Sequence, residues 1–465
     1  MNGMPAQMLA PKTASVSSDN AYVSQEWYDV CIIGAGVAGG VLAAFLADHG
    51  KRVAVIERNL AEPDRIIGEL LQPGGLQQLS AMGLNHLTEG FDAQPIEGYA
   101  LFMEGNSFSI KYPEGKTGRG FRNGKFIKKI RDYLSSHPHV TLIEGRADDL
   151  VESNGIICGV KYLSSSDRQH RQVHAFLTVA SDGMFSSFRE KLAYGDKKVT
   201  GYFLGLILKG CLLPHPNHGH VIITDTSPCL VYPISSQDIR ILIDFPGEQP
   251  PPKGVELICF LKEKIAPQLP QSIQPSFLEA IAESKFRFMP NHLIPARPWF
   301  KQGAVLLGDS LNMRHPLTGG GMTVALTDVY VLGSLLLEKK NTFNSRALAL
   351  VIRRFYQQRS SHNATINILA DALYKVMRSR ELKIACYNYL KRGSTYASEP
   401  VAILSAISRD VRLLLKHFFA VAFFGAFDLL KPYPTLSGVK RAVLMVHDAV
   451  RIIFPLIRNE RFKIF

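Results

Sequence analysis

The 465-residue sequence predicts an α/β fold with a nucleotide-binding domain, a β-rich insertion and a helical C-terminal region. Three observations carry that prediction. A strand, glycine turn, helix and strand follow one another near residue 30, a second strand ends in Gly-Asp about 270 residues later, and the last fifth is basic and apolar. With 46% hydrophobic and 20% charged residues the chain can build two or three cores, which excludes a disordered, collagen-like or small disulfide-stapled protein. The six cysteines stand singly with no Cys-x-x-Cys, so a reduced, cytosol-facing chain with no metal site is the simplest reading.

Residues 1–27 lack the positively charged start and apolar run of a secretory signal and read as a flexible tail. YDVCII (28–33) suits a buried parallel strand. It runs into Gly34-Ala-Gly36-Val-Ala-Gly39, then the helix-compatible VLAAFLADHG (41–50), then a second strand, RVAVI (52–56), with Glu57 at its end. Gly34 makes the tight turn, Gly36 lets backbone approach a pyrophosphate, and Gly39 lets helix and strand pack closely. The helix start offers free N–H groups and a positive dipole end to phosphate. Glu57, 18 residues after Gly39, stands where a carboxylate accepts bonds from ribose hydroxyls. Together these parts read as a dinucleotide site; a glycine-rich packing turn in a non-binding domain is the alternative.

Which dinucleotide is decided further along. LTVA (177–180) reads as a short strand followed by Ser181-Asp182-Gly183, and AVLL (304–307) leads into Gly308-Asp309, His315-Pro-Leu-Thr-Gly-Gly-Gly-Met322 and an apolar helix over 323–336. A carboxylate after a strand, facing a glycine-rich helix start, can hold a polyol chain, and Gly319 to Gly321 would let backbone lie against a flat ring. One long nucleotide held at both ends needs such a second element, so FAD is preferred to NAD. The fold is therefore expected to be a Rossmann-type FAD-binding domain in two parts, 28–198 and 301–345. The β-rich substrate domain is inserted between them at 199–300, where VIIT (221–224), LVYP (230–233) and IRILIDF (239–245) read as strands roofing the flavin.

Residues 346–465 are expected to be a helical, membrane-associated region. From Lys375 onward there are 16 Lys and Arg against 6 Asp and Glu, so +10 of the net +13 lies here. The same stretch carries DVRLLLKHFFAVAFFGAFDLL (410–430) and RAVLMVHDAVRIIFPLI (441–457). Between Lys416 and Asp428 only 11 uncharged positions occur, against the ~20 a crossing needs. In the later segment Lys440, Arg441, His447, Asp448 and Arg451 fall near one helical face, and Val443, Val446, Val450 and Phe454 on the other, with Leu444 the exception. That pattern suits a helix lying on a membrane lipid surface, with a C-terminal core edged by solvated charge as the alternative. No aromatic-interleaved basic groove accompanies the charge, so nucleic acid is not an expected partner.

The Gly34 to Glu57 segment, Asp182-Gly183 and Gly308-Asp309 together resemble the single-component flavoprotein monooxygenases of the para-hydroxybenzoate hydroxylase fold. Longer strings are more specific. Asp64-Arg-Ile-Ile-Gly-Glu-Leu-Leu-Gln-Pro-Gly-Gly75, Asn312-Met-Arg-His-Pro-Leu-Thr-Gly-Gly-Gly-Met322, Tyr99 after Glu97-Gly98, and His417-Phe-Phe-Ala-Val-Ala422 are similar to the squalene epoxidases, from about Asp29 to Pro455. The resemblance implies FAD-dependent epoxidation of squalene by O2 in sterol biosynthesis. It also implies an NADPH-dependent reductase of the NADPH–cytochrome P450 reductase type, and endoplasmic-reticulum membranes if the source is eukaryotic. It assigns Val37, Ala38, Glu57 and Arg58 to the adenosine half of FAD, and Arg65 and Leu70 to the passage toward the isoalloxazine. Arg131 and Ala147 match further FAD contacts, Asp309 the ribityl contact and Met322 a contact beside the ring. Tyr99 and Gln72 match a hydrogen-bonded pair near the epoxidation pocket.

Taken singly, these residues have plainer readings: Arg65 a surface charge, Arg131 part of a solvated basic face, Tyr99 a half-buried strand aromatic, Leu70 and Met322 core. His315 reads equally as a general base or a structural histidine. The 27 residues before the first strand are short beside the anchoring N-terminal regions of many squalene epoxidases, which throws membrane attachment onto the C-terminal helices. Another flavin monooxygenase or a prenyl-chain reductase acting on a different polyprenyl lipid is the alternative function. A non-catalytic lipid escort would have lost Gly34, Gly36, Gly39 or Asp309, and all four are present.

Overall fold

The computed structural model describes residues 27–226, 228–338 and 342–461; the tail expected at the N-terminus lies outside these except for Trp27, which already belongs to the first strand. Trp27–Ile33 is the centre of the parallel part of a six-stranded mixed sheet. Val30 pairs with Val53 on one side and Leu177 on the other, Val53 pairs in turn with Val140, and Thr178 with Ala304. Strands buried on both faces read as continuous apolar runs, which is why this part was legible. The helix Val37–Asp48 starts directly at the turn, four residues before the expected 41, and ten of its twelve residues are buried. The strand expected at 177–180 is longer, His170–Ala180, because its first half pairs antiparallel with Ile156–Ser164. In that half Val173 is buried but stands among His170, Arg171 and Gln172, which are exposed, so no apolar run marks it.

The second sheet has seven strands in the order Arg287–Leu293, Lys198–Lys209, Asp238–Pro246, Cys229–Pro233, His218–Ile223, Gly98–Met103 and Asn106–Lys111. It is thus not confined to 199–300: the hairpin 98–111 comes from the segment expected to lie wholly in the FAD part. Its parallel pairing, His218 beside Gly98, joins strands far apart in sequence, which no local pattern reveals. Side chains alternate across this sheet. Leu204, Leu206, Leu208, Ile241 and Ile243 face the helices Gly254–Phe260 and Gln274–Ala282, where Leu257, Phe277 and Ile281 close a core. Phe203, Tyr232 and Leu242 face the other way, toward Ile67 and Leu70.

Five helices follow: Ser345–Arg378, Arg380–Lys391, Thr395–Leu404, Val411–Asp428 and Leu436–Arg461. The last differs from the two-faced helix expected. Ala442, Met445, Ala449, Ile453 and Leu456 form a third stripe at helical spacing that packs inward, while Val443, Val450 and Phe454 stay exposed. Small residues in that stripe gave it little weight in the sequence. Among the described residues no helix is long and apolar enough to cross a membrane, and all six cysteines are unpaired.

Candidate active site

A cavity of about 1070 Å³ lies between the two sheets. Its first end is the glycine turn. Gly34 takes φ +99°, and a Cβ there would sit 2.6 Å from the Ser181 carbonyl oxygen; one on Gly39 would sit 2.1 Å from the Gly34 oxygen. At Gly36 a Cβ would meet nothing within 4 Å, because this residue opens onto the cavity together with Val37 and Ala38.

Glu57 and Arg131 hold this turn in shape. Glu57 Oε2 accepts the Ala35 N–H at 2.8 Å and lies 3.3 Å from Arg131 Nη2. Arg131 also donates to the Ala35 carbonyl at 3.2 Å, the Asn59 carbonyl at 2.9 Å and the Ala61 carbonyl at 2.7 Å. Burial lowers its pKa, against the attraction of Glu57. Arg131 is thus not part of a solvated basic face: it is 7% exposed and turned inward from Asn123–Ser136, away from Lys125, Lys128 and Lys129. Arg58 and Arg65 are exposed at the rim, and Ala147 lines the wall beside Arg146.

The other elements meet in the middle. Ser181, Asp182 and Gly183 border the cavity, as do Gly308, Asp309 and the segment 316–319 with Met322 behind it. Burial raises the Asp309 carboxyl above its usual range, opposed by the charges of Arg314 and Arg65. Four residues that line this space each carry a buried polar atom with no hydrogen-bond partner among the described residues of the protein: Asn123 Oδ1, Asp182 Oδ1, Arg314 Nε and Thr318 Oγ1. Buried polar atoms are seldom left so, and a ligand rich in phosphate, hydroxyl and carbonyl groups satisfies them. The turn, the acid at the second strand's end and these orphaned atoms together fit a long dinucleotide.

At the far end the lining becomes apolar: Leu70, Tyr99, Leu230, Tyr232, Leu242, Phe288, Leu373, Met377 and Leu404. Tyr99 is 6% exposed, a buried rather than a half-buried strand aromatic, and burial raises its phenol pKa. Gln72 Nε2 donates to the Tyr99 hydroxyl and, at 3.1 Å, to the Thr318 carbonyl. Tyr112 donates to Gln72 Oε1 at 2.8 Å, so the amide can point only one way. Gln72 itself stands just behind the wall. Tyr112, Asn123 and Arg314 escaped the sequence reading. Arg314 lies within the segment 312–322, where nothing distinguishes it from a surface charge, and Tyr112 meets Gln72 and the Tyr99 ring only through the fold, Gln72 being 40 residues away.

A family model described as squalene epoxidase matches residues 174–444, and one described as an NAD(P)-binding Rossmann-like domain matches residues 32–60. Squalene epoxidase 3 of Arabidopsis thaliana is 44% identical over 444 residues, covering 93% of this chain and 84% of that protein. The squalene monooxygenase of Mus musculus is 36% identical over 464 residues, covering 96% of this chain and 80% of its own. Among solved structures, HpxO of Klebsiella pneumoniae complexed with FAD and uric acid aligns with a TM-score of 0.63 at 18% identity, covering 81% of this chain and 97% of that one. That likeness speaks for the fold alone.

Proposed function

The chain belongs to the squalene epoxidase family, and from that premise we propose which of its residues hold each part of the cofactor, the substrate and the membrane. The enzyme is an FAD-dependent monooxygenase that epoxidises squalene with O2 in sterol biosynthesis. The observation that carries the assignment is one cavity, polar and glycine-lined at one end and apolar at the other. Gly34 and Gly39 shape the turn and Gly36 opens it to the pyrophosphate, Val37, Ala38, Glu57 and Arg58 take the adenosine half, and Arg131 keeps their loop closed. Asp309 takes the ribityl chain, Met322 packs beside the ring, and Arg65, Leu70 and Ala147 complete the walls. FAD, when bound, supplies the redox chemistry that activates O2.

Squalene carries no polar handle, so the protein recognises it by apolar burial, worth about 25 cal/mol per Å². Leu230, Leu242, Phe288, Leu373 and Met377 supply that surface and keep the reacting end dry. Tyr99 and Gln72 stand beside the epoxidation pocket, their orientation fixed by Tyr112. Among the described residues no second strand–glycine turn–helix unit for NADPH is present, and electrons come from a separate NADPH-dependent reductase of the NADPH–cytochrome P450 reductase type.

The C-terminal helices dock on a lipid surface, the endoplasmic-reticulum membrane in a eukaryote. Phe423, Phe427, Leu436, Val443, Leu444 and Phe454 are exposed on the last two helices, with Lys440, Arg441 and Arg451 beside them. Met377 belongs both to the cavity wall and to the cluster under these helices, which brings the apolar end of the cavity toward the lipid side. The triple variant Phe427→Ser, Val443→Ser, Phe454→Ser removes three exposed anchors without touching the core. Its affinity for phosphatidylserine-containing vesicles, read by co-sedimentation, falls by about tenfold or more. Unchanged sedimentation would remove this surface from the account.

A further inference from the structure

His315 is 2% exposed and does not face the cavity, although Pro316, Leu317, Thr318 and Gly319 all do. Its ring is engaged on every side. The Leu317 N–H donates to Nδ1 at 3.3 Å, which places the lone pair on Nδ1 and the ring proton on Nε2. Nε2 faces Asp244 Oδ1 at 3.4 Å, and Asp244 lies on a central strand of the second sheet. Asn291, on the strand Arg287–Leu293, places Nδ2 3.2 Å from the same carboxylate oxygen and 3.3 Å from Nε2. Tyr374 stacks on the imidazole with ring centres 3.7 Å apart, and its hydroxyl donates to the Thr200 carbonyl at 3.1 Å. With both nitrogens committed and the ring walled off, a general-base role has no geometry to act through.

The short turn Pro316–Thr318 is therefore gripped at its start through His315 and at its end by Gln72, which donates to the Thr318 carbonyl. The first grip runs to the second sheet, whose inner face supplies Tyr232 and Leu242 to the apolar end of the cavity. We propose that His315 and Asp244 are positioning residues that lock the cavity-facing turn 316–319 to the second sheet, so that the flavin side and the substrate side of the cavity keep one spacing. The role rests on the reading that FAD occupies this cavity. A turn free to drift from that sheet still carries the cofactor but lets the reduced enzyme spend O2 without delivering its oxygen to squalene.

The test uses the purified holoenzyme and the variants His315→Asn, Asp244→Asn and the pair combined. Asparagine at 315 can still cap the Leu317 N–H but is too short to reach Asp244. Each protein is chemically reduced, mixed with aerated buffer and squalene, and scored for epoxide against hydrogen peroxide, while amide exchange is followed across 315–322. The clamp predicts bound flavin in every variant, exchange in the turn faster by roughly tenfold, and a peroxide-to-epoxide ratio higher by roughly threefold in each single variant, with the double no worse than either. Wild-type exchange and partition in His315→Asn, or effects that add in the double variant, would overturn it. Should Asp244→Asn not fold, His315→Asn alone decides. A wild-type protein that takes up no FAD counts against the cavity assignment instead, and the exchange measurement on that flavin-free protein still decides the clamp.

Discussion

Gly36→Ala purifies folded, with wild-type thermal stability, and binds FAD about 10- to 100-fold more weakly, whereas Gly39→Ala loses both stability and FAD. The contrast comes from where each methyl would go. At Gly36 it meets no protein atom within 4 Å and projects into the cavity where a pyrophosphate must approach backbone. At Gly39 it lands 2.1 Å from the Gly34 oxygen and 3.0 Å from Ile32 Cγ2, so helix and strand must part. Overpacking of that kind costs about 1–3 kcal/mol before any ligand is considered. Thermal unfolding of both proteins and FAD titration by fluorescence quenching separate the two effects. Equal FAD affinity in Gly36→Ala and wild type would put the phosphates elsewhere.

Glu69→Ala produces the largest loss of stability. Glu69 and Arg240 form a bidentate pair, Nε to Oε2 at 2.7 Å and Nη2 to Oε1 at 2.9 Å, with side chains 1% and 4% exposed. Glu69 follows the loop that borders the cavity, and Arg240 lies on the second sheet, so the pair ties the two halves of the molecule together. Removing the carboxylate strands a buried guanidinium and costs about 3–5 kcal/mol, readable by urea unfolding. The double variant Glu69→Ala, Arg240→Met regains most of that loss, since neither charge is then buried alone. A single variant as stable as wild type would mean that water or another group already satisfies Arg240.

These two sites differ in how far the sequence discloses them. Gly36 and Gly39 sit in an uninterrupted local string of strand, turn and helix, each part carrying its own pattern, so chain neighbours are also spatial neighbours. Glu69 and Arg240 are 171 residues apart, and no local pattern links them. Only the fold makes them partners. The same holds for the hairpin 98–111, claimed by the second sheet through a parallel pairing, and for Asp244 beneath His315. Arg131 shows the effect within a single helix: three nearby lysines suggested a solvated face, while its own position turns inward and its guanidinium closes the loop after Glu57. Along the last helix, polar and bulky apolar residues were legible, but the small residues at 442 and 449 that make the packing stripe were not. Local motifs and long apolar runs disclose themselves; long-range polar pairs do not.

The most direct test of the account is to purify the protein in detergent, record its visible spectrum, and incubate it aerobically with squalene, NADPH and an NADPH-dependent reductase while following products. The account predicts a bound-flavin spectrum and 2,3-epoxysqualene that appears only when all components are present. A flavin spectrum with no epoxide would contradict the substrate assignment of the apolar end. A protein that stays colourless even with FAD supplied would contradict the cavity as the seat of the cofactor.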